Sequence, residues 1–368
     1  MAWDSEMSYA LGLYRMLGKI LGTWPLDFKS ACGTVTELMD VITLFSCGCS
    51  LLTKLTVLMI HQNEMSIIVN SAVKDWSDII DHESRSIMLR YAKIGRRVFI
   101  SQAVCYFSSA LSILYTRFPP VEYIRSDRTN SSAIMIGVPL WPDCWTPTNI
   151  SMNHYMFLFI FQSITLIVFD ACYSNCDSFF FGMIMHLSGQ FRVLSANFKY
   201  FSECSNNEYY TRQLVKLIER HQHLLTMANG FEDIYNLLIL IHFGIAIMII
   251  CISGIILLIS LQSSDFAIVV DMVCRIFLTY FQLFMYCYTG EQLRTEAMNV
   301  KNIIYNSPWF NMPLSTVKNM VFVIMRSDYT ISLTAGKIYE MNVPNFLAIV
   351  KTITSYFSVM RLAFKENH

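Results

Sequence analysis

The residues able to do chemistry in this chain are scattered rather than gathered. His221 and His223 form a His-x-His pair, a spacing that invites a metal. On a helix, positions two apart diverge by roughly 200°. No Cys or carboxylate stands at ligand spacing to complete a site, so a solvated helix is the better reading. His186 and His242 stand alone, with no nucleophile motif beside them. Neither Gly-x-Ser-x-Gly, a phosphate loop nor His-Glu-x-x-His occurs, so the sequence argues against an enzyme and implies no cofactor. Of the eleven cysteines, Cys47, Cys49, Cys105, Cys172, Cys251, Cys274 and Cys287 lie in apolar stretches, where free thiols behave as small hydrophobes. Cys144 stands without an obvious partner, and no disulfide framework is expected. Two isolated charges, Asp170 and Arg275, interrupt long apolar runs. In a spanning helix such a charge faces a protein interior or water, and a functional role and a structural polar contact both fit.

Those apolar runs set the class. Of 368 residues 54% are hydrophobic and only 15% charged, with a mean hydropathy of +0.43. A soluble domain carries about 25% charged residues. Stretches of about 20 residues, enough to cross a bilayer core, recur along the chain. The sequence therefore predicts an all-α, polytopic integral membrane protein. Six spans are read, near 36–60, 98–116, 154–178, 235–261, 268–290 and 345–363. Glu37, Asp40 and Lys54 make the first the weakest of them. Net charge is zero, which points to no nucleic-acid partner. Arg15 and Lys19 interrupt the first apolar stretch, so no signal-peptide pattern is present.

Lys and Arg are unevenly shared among the connections. Segment 61–97 holds six, 180–234 five and 291–344 five, whereas 117–153 holds three and 262–267 none. The positive-inside bias places the first group in the cytoplasm and the second outside. Two glycosylation sequons, at Asn130 and Asn149, both fall in 117–153 and agree with that orientation. The C-terminus is then external, unlike that of a G-protein-coupled receptor.

The cytoplasmic connections carry helical periodicity of their own. Leu214, Leu217, Ile218, Leu224 and Leu225 recur on one face, with Arg212, Lys216, Glu219 and Arg220 on the other. The 154–178 span is expected to continue as a helix to about 198, and a further amphipathic helix spans about 313–326. Such helices need a partner over their apolar faces. The domain reading is an amphipathic segment at 1–35 and a membrane domain at 36–363, with anchor helices in 180–234 and 291–344. Within the spans, Val41, Leu44 and Phe45 share a face, as do Ser108, Leu111 and Tyr115. Met156, Phe157, Ile160 and Phe161 line one region of the third span, and Phe277 and Tyr280 lie in the fifth.

The C-terminal seventy residues carry an ordered signature. Phe-Met-Tyr-Cys-Tyr-Thr-Gly-Glu-Gln-Leu, 284–293, closes an apolar helix. Tyr-Asn-Ser-Pro-Trp follows at 305–309, Ile-Met-Arg-Ser at 324–327 and Thr-Ala-Gly-Lys at 334–337. The chain closes on Phe-Leu-Ala-Ile-Val-Lys-Thr-Ile-Thr-Ser-Tyr-Phe-Ser-Val-Met, 346–360. In order and spacing this resembles the C-terminus of insect odorant receptors, as a hymenopteran-like tuning subunit. The segment from Tyr9 to Pro25 resembles the family's cytoplasmic start. Only 28 residues separate Pro25 from Lys54, room for one helix where the family has two, so its first spanning helix is expected to be missing.

The resemblance implies a heptahelical channel subunit, about six of whose spans are visible here. It implies assembly with the odorant coreceptor as a heterotetramer in the plasma membrane of olfactory sensory neurons. The family's volatile ligands would contact the Val41, Leu44, Phe45, Ser108, Leu111, Tyr115, Met156, Phe157, Ile160, Phe161, Phe277 and Tyr280 faces, which plain helix packing also explains. Matching Ser-Tyr-Phe-Ser-Val-Met residue by residue places the narrow ring of a nonselective cation pore at Val359, with Ala363 one turn further out and Arg361 turned from the axis. A gustatory receptor is the nearest rival, but its Gln-Phe ending is absent. A transporter predicts repeats and broken helices, which are not visible.

Overall fold

The computed structural model describes residues 35–118, 138–140, 152–203, 207–263, 266–328 and 331–366. The 1–34 segment, Asn130, Cys144 and Asn149 lie outside them. Eight α-helices are described: α1 Val35–Ile60, α2 Gln62–Asp78, α3 His82–Arg117, α4 Met152–Glu203, α5 Asn207–Ser263, α6 Phe266–Tyr305, α7 Leu314–Ser327 and α8 Val343–Glu366. A two-residue hairpin, β1 Thr334–Ala335 and β2 Tyr339–Glu340, pairs Thr334 with Glu340 and Ala335 with Tyr339.

Five helices, α1 and α3 to α6, are long and apolar enough to cross a membrane. The sixth expected span is α8, whose 24 residues reach about 36 Å. The helices overrun their spans. The 98–116 segment is the last half of a helix that begins at His82, where Asp81 accepts a hydrogen bond from the Ser84 backbone N–H at 2.9 Å. That bond holds the Asp81 carboxyl below its usual value. The 154–178 span continues past 198 to Glu203, and the 235–261 span belongs to one helix that starts at Asn207. The 313–326 expectation is met by α7, which follows Pro313. The described chain divides into two compact units.

The smaller unit takes in residues up to 48 and 106–171. Val138, Tyr155 and Phe159 form its core, with Leu114, Met156 and Leu158 packed against them. Phe118 meets Phe159 edge-on at 5.7 Å. The Gln162 side chain accepts from the Leu140 backbone N–H at 2.9 Å, and the Tyr155 hydroxyl donates to the Arg117 carbonyl.

The larger unit spans 49–105 and 172–368. Its core is aromatic: Phe180, Phe181, Phe191, Phe198, Phe231 and Tyr286 are all essentially inaccessible. Phe231 stacks on Tyr235 at 4.5 Å, and Phe180 packs on Tyr286 at 4.9 Å, so α4, α5 and α6 share one hydrophobic seam. The apolar face of α7 joins it through Met320 and Val323. The hairpin docks on α5, where the Gly336 N–H donates to the Asn236 carbonyl at 2.8 Å. Gly336 has φ +62°, and a Cβ there would sit 2.6 Å from Leu240, so the turn requires glycine for both conformation and space. Lys337 then reaches Asp233 at 2.7 Å, and that carboxylate raises the ammonium above its ordinary value.

Candidate functional site

Helix α8 has two unlike faces. One is packed: Phe346 meets Phe284 edge-on at 5.4 Å, Ile353 is buried, and Phe357 lies over Gly254. A Cβ on Gly254 would come within 1.9 Å of the Phe357 ring, so the glycine is what admits it. At its start α8 is fixed by Asn342, whose side chain accepts from the Asn345 backbone N–H at 2.8 Å. Nearby, the Met341 carbonyl lies only 2.2 Å from where a Cβ of Gly290 would stand.

The other face carries Leu347, Ala348, Lys351, Thr352, Thr354, Ser355, Ser358 and Val359, all exposed, with Tyr356 exposed at its edge. Thr352, Thr354 and Ser358 donate to the carbonyls of Ala348, Val350 and Thr354, the residues four earlier. These bonds quiet the hydroxyl protons and leave oxygen lone pairs outward. Against lipid, a lysine at spanning depth would be costly; such a charge faces water or protein. Val359, 62% exposed, lies on this face, and Ala363 follows further along the helix.

The expected ligand residues sort into faces. In the smaller unit Leu44 and Phe45 on α1, Ser108, Leu111 and Tyr115 on α3, and Phe157, Ile160 and Phe161 on α4 are exposed. Phe157 and Phe161 stack on each other at 6.5 Å. Val41 and Met156 are half-buried, Met156 against the Tyr155 and Phe159 cluster. In the larger unit Phe277 is exposed and stacks on Phe281 at 6.5 Å, while Tyr280 is half-buried. The buried residues of α1, α3 and α4 are others, among them Ser46, Ala110, Tyr155 and Phe159.

A polar node that spacing did not reveal lies deeper in the larger unit. Lys54 donates to the Asp177 carboxylate at 2.6 Å, and both side chains are fully buried. The Tyr286 hydroxyl donates to the same carboxylate oxygen at 2.8 Å, and the Gln282 amide to the other at 2.8 Å. The Lys54 ammonium also sits 3.5 Å over the Tyr173 ring. Ser50 lies 3.3 Å from both the Tyr173 hydroxyl and His242 Nδ1. One network therefore ties α1, α4, α5 and α6. Beside it is a cavity of about 10 Å³, the space of a single water, lined by Lys54, Asp177, Tyr235 and Tyr286 among others. The signal for this node was the weakness noted in the first span: a lysine in an apolar helix demands a buried partner.

His186, His221 and His223 each pack against a polar neighbour. His186 lies 3.1 Å from Asp75, whose other oxygen accepts from Arg220 at 2.6 Å. His223 is 2.8 Å from Ser71, and His221 is 3.3 Å from Ser327, so the His-x-His pair is split between two neighbours. Among the described residues no cluster could hold a metal. Arg275, read as isolated, pairs with Asp271 one turn earlier at 2.9 Å.

A family profile described as seven-transmembrane odorant receptor matches residues 34–354. The chain belongs to the insect odorant receptor family. It is 21% identical over 293 residues to odorant receptor 10 of Aedes albopictus, covering 78% of this chain and 73% of that one. It is 26% identical to odorant receptor 47a of Drosophila melanogaster, covering 59% and 57%. The matched segments thus span 73% of the first of these relatives and 57% of the second. Among solved structures, the insect olfactory receptor OR5 from Machilis hrabei superposes with a TM-score of 0.72 at 12% identity, over 98% of this chain and 91% of that one. The same receptor in complex with eugenol gives 0.70. This odorant receptor has the family's helical membrane fold.

Proposed function

We propose that this chain is the tuning subunit of an odorant-gated, nonselective cation channel, assembled with coreceptor subunits as a heterotetramer in the plasma membrane of olfactory sensory neurons. The observation that carries the channel reading is the exposed face of α8. A spanning helix that packs Phe346, Ile353 and Phe357 inward and turns a lysine and a row of hydroxyls outward, between Leu347 and Val359, is suited to line a watery path. Val359 supplies the constriction, an apolar ring that stops conduction by dewetting. Ala363 stands beyond it.

Ligand binding is assigned to the aromatic and small residues named on α1, α3, α4 and α6. Stacked, exposed rings such as Phe157 and Phe161 offer apolar area with few polar anchors, which suits small volatile molecules. That the Machilis hrabei receptor is described in complex with eugenol, a small aromatic volatile, supports the same ligand class here. The regions 180–234 and 291–344 are cytoplasmic in this reading and provide the assembly surface.

The test is coexpression. Cells bearing this chain with the coreceptor should give odorant-evoked cation current across a panel of volatiles, and cells bearing this chain alone should not. Robust current from the chain alone would overturn the partnership. Surface complexes that respond to a direct coreceptor agonist but to no volatile would overturn the tuning role.

A further inference from the structure

Lys351 is the one exposed side chain with a full positive charge on the described outward face of α8. It lies eight residues, about 12 Å of helix, after Val343 and the same distance before Val359. Helical spacing sets it beside Ser355, Ser358 and Val359 and across the helix from Ile353 and Phe357, the two residues that anchor the packed side. No ion pair to Lys351 occurs among the described residues. Every other described lysine at spanning depth behaves differently: Lys54 is buried against Asp177.

A free ammonium at this depth needs water, and the face it shares with Ser355 and Ser358 is where water would run. Resting on the pore reading above, we propose that Lys351 is a charge filter in the ion path, on the inner side of the Val359 constriction. Its field acts on the valence of the passing ion. At about 7 Å across water, one fixed positive charge lowers the local occupancy of a monovalent cation roughly threefold and of a divalent cation roughly sevenfold. Each such subunit therefore biases the path against divalent cations, about threefold relative to monovalent ones. The tuning subunit sets part of the ion preference of the complex as well as its ligand preference.

Reversal potentials under calcium and sodium gradients, in surface complexes with the coreceptor, test this. Lys351→Gln should raise the calcium-to-sodium permeability ratio about threefold and Lys351→Glu about sevenfold, with Lys351→Arg unchanged. Lys351→Cys gives the same comparison after assembly: a cationic thiol reagent should keep the ratio low and an anionic one should raise it. Equal ratios after the two reagents, or a Glu variant with the parent ratio, would overturn the proposal, because the side chain then reaches the headgroups rather than the path. Val359→Ser in the same assay separates the two readings. If it alters permeation while Lys351 changes do not, the pore stands and the filter falls; if neither acts, both fall.

Discussion

Asp177→Asn isolates the buried node with a change of one atom. The carboxylate accepts from Lys54 and Tyr286 on one oxygen and from Gln282 on the other. Asparagine keeps the first acceptor and replaces the second by an NH₂ that confronts the Gln282 amide donor. Lys54, wholly buried, loses its counter-charge. Removing one partner of a buried pair costs about 3–5 kcal/mol, since the remaining charge stays out of water. With an unfolding entropy of about 2.1 cal/mol/K per residue, that corresponds to a melting temperature lower by roughly 4–6 °C for a chain this long. Heating fluorescently tagged complexes in detergent and following the surviving peak by size exclusion measures it directly. Lys54→Met should cost a similar amount, and the Lys54→Met, Asp177→Leu double change should recover most of it, because two apolar groups leave no charge stranded. A single Asp177→Asn variant melting within 1 °C of the parent would refute the reasoning.

Gly254→Leu should displace Phe357 and lower stability by about 1–3 kcal/mol, with Phe357→Ala in the same chain restoring much of the melting temperature. Val359→Ser should raise basal cation leak in coexpressed complexes, and in part only where, as proposed, coreceptor subunits supply the rest of the ring; unchanged leak would remove Val359 from the gate. Ser108→Phe should abolish odorant responses while a direct coreceptor agonist still opens the channel, and intact odorant tuning would remove that residue from the ligand site. An epitope at residue 205 should stay hidden from antibody until cells are permeabilised, as the Lys and Arg asymmetry requires.

The spanning elements were legible because a bilayer tolerates little else: apolar runs of about 20 residues announce themselves. Their extensions were less so. Arg85, Arg90, Lys93, Arg96 and Arg97 erase the apolar signal of α3 before residue 98 without weakening the helix, and α2 was hidden in the same charged stretch. The extension of α4 was visible because its apolar periodicity persists. The node was not, because its partners are remote: Lys54 and Asp177 are 123 residues apart, and Ser50 and His242 are 192 apart. His242 looked solitary for that reason. The hairpin at 334–340 is two residues per strand, too short for any alternation to show, and its turn takes both Gly336 and Lys337 into the left-handed region, of which only the glycine is a sequence mark.

Helix α5 runs unbroken for 57 residues, about 85 Å, and His242 in the node divides it unequally. From His242 to Ser263 is about 32 Å, and from His242 to Asn207 about 53 Å. A rigid tilt of the rod about His242, taken as a fulcrum, moves its two ends unequally. A tilt of about 2° carries the Ser263 end roughly 1 Å and the Asn207 end nearly twice as far, in the opposite sense. A displacement too small to disturb packing near one end therefore arrives enlarged at the other. Lys54, through its hold on Asp177, helps fix where that fulcrum lies.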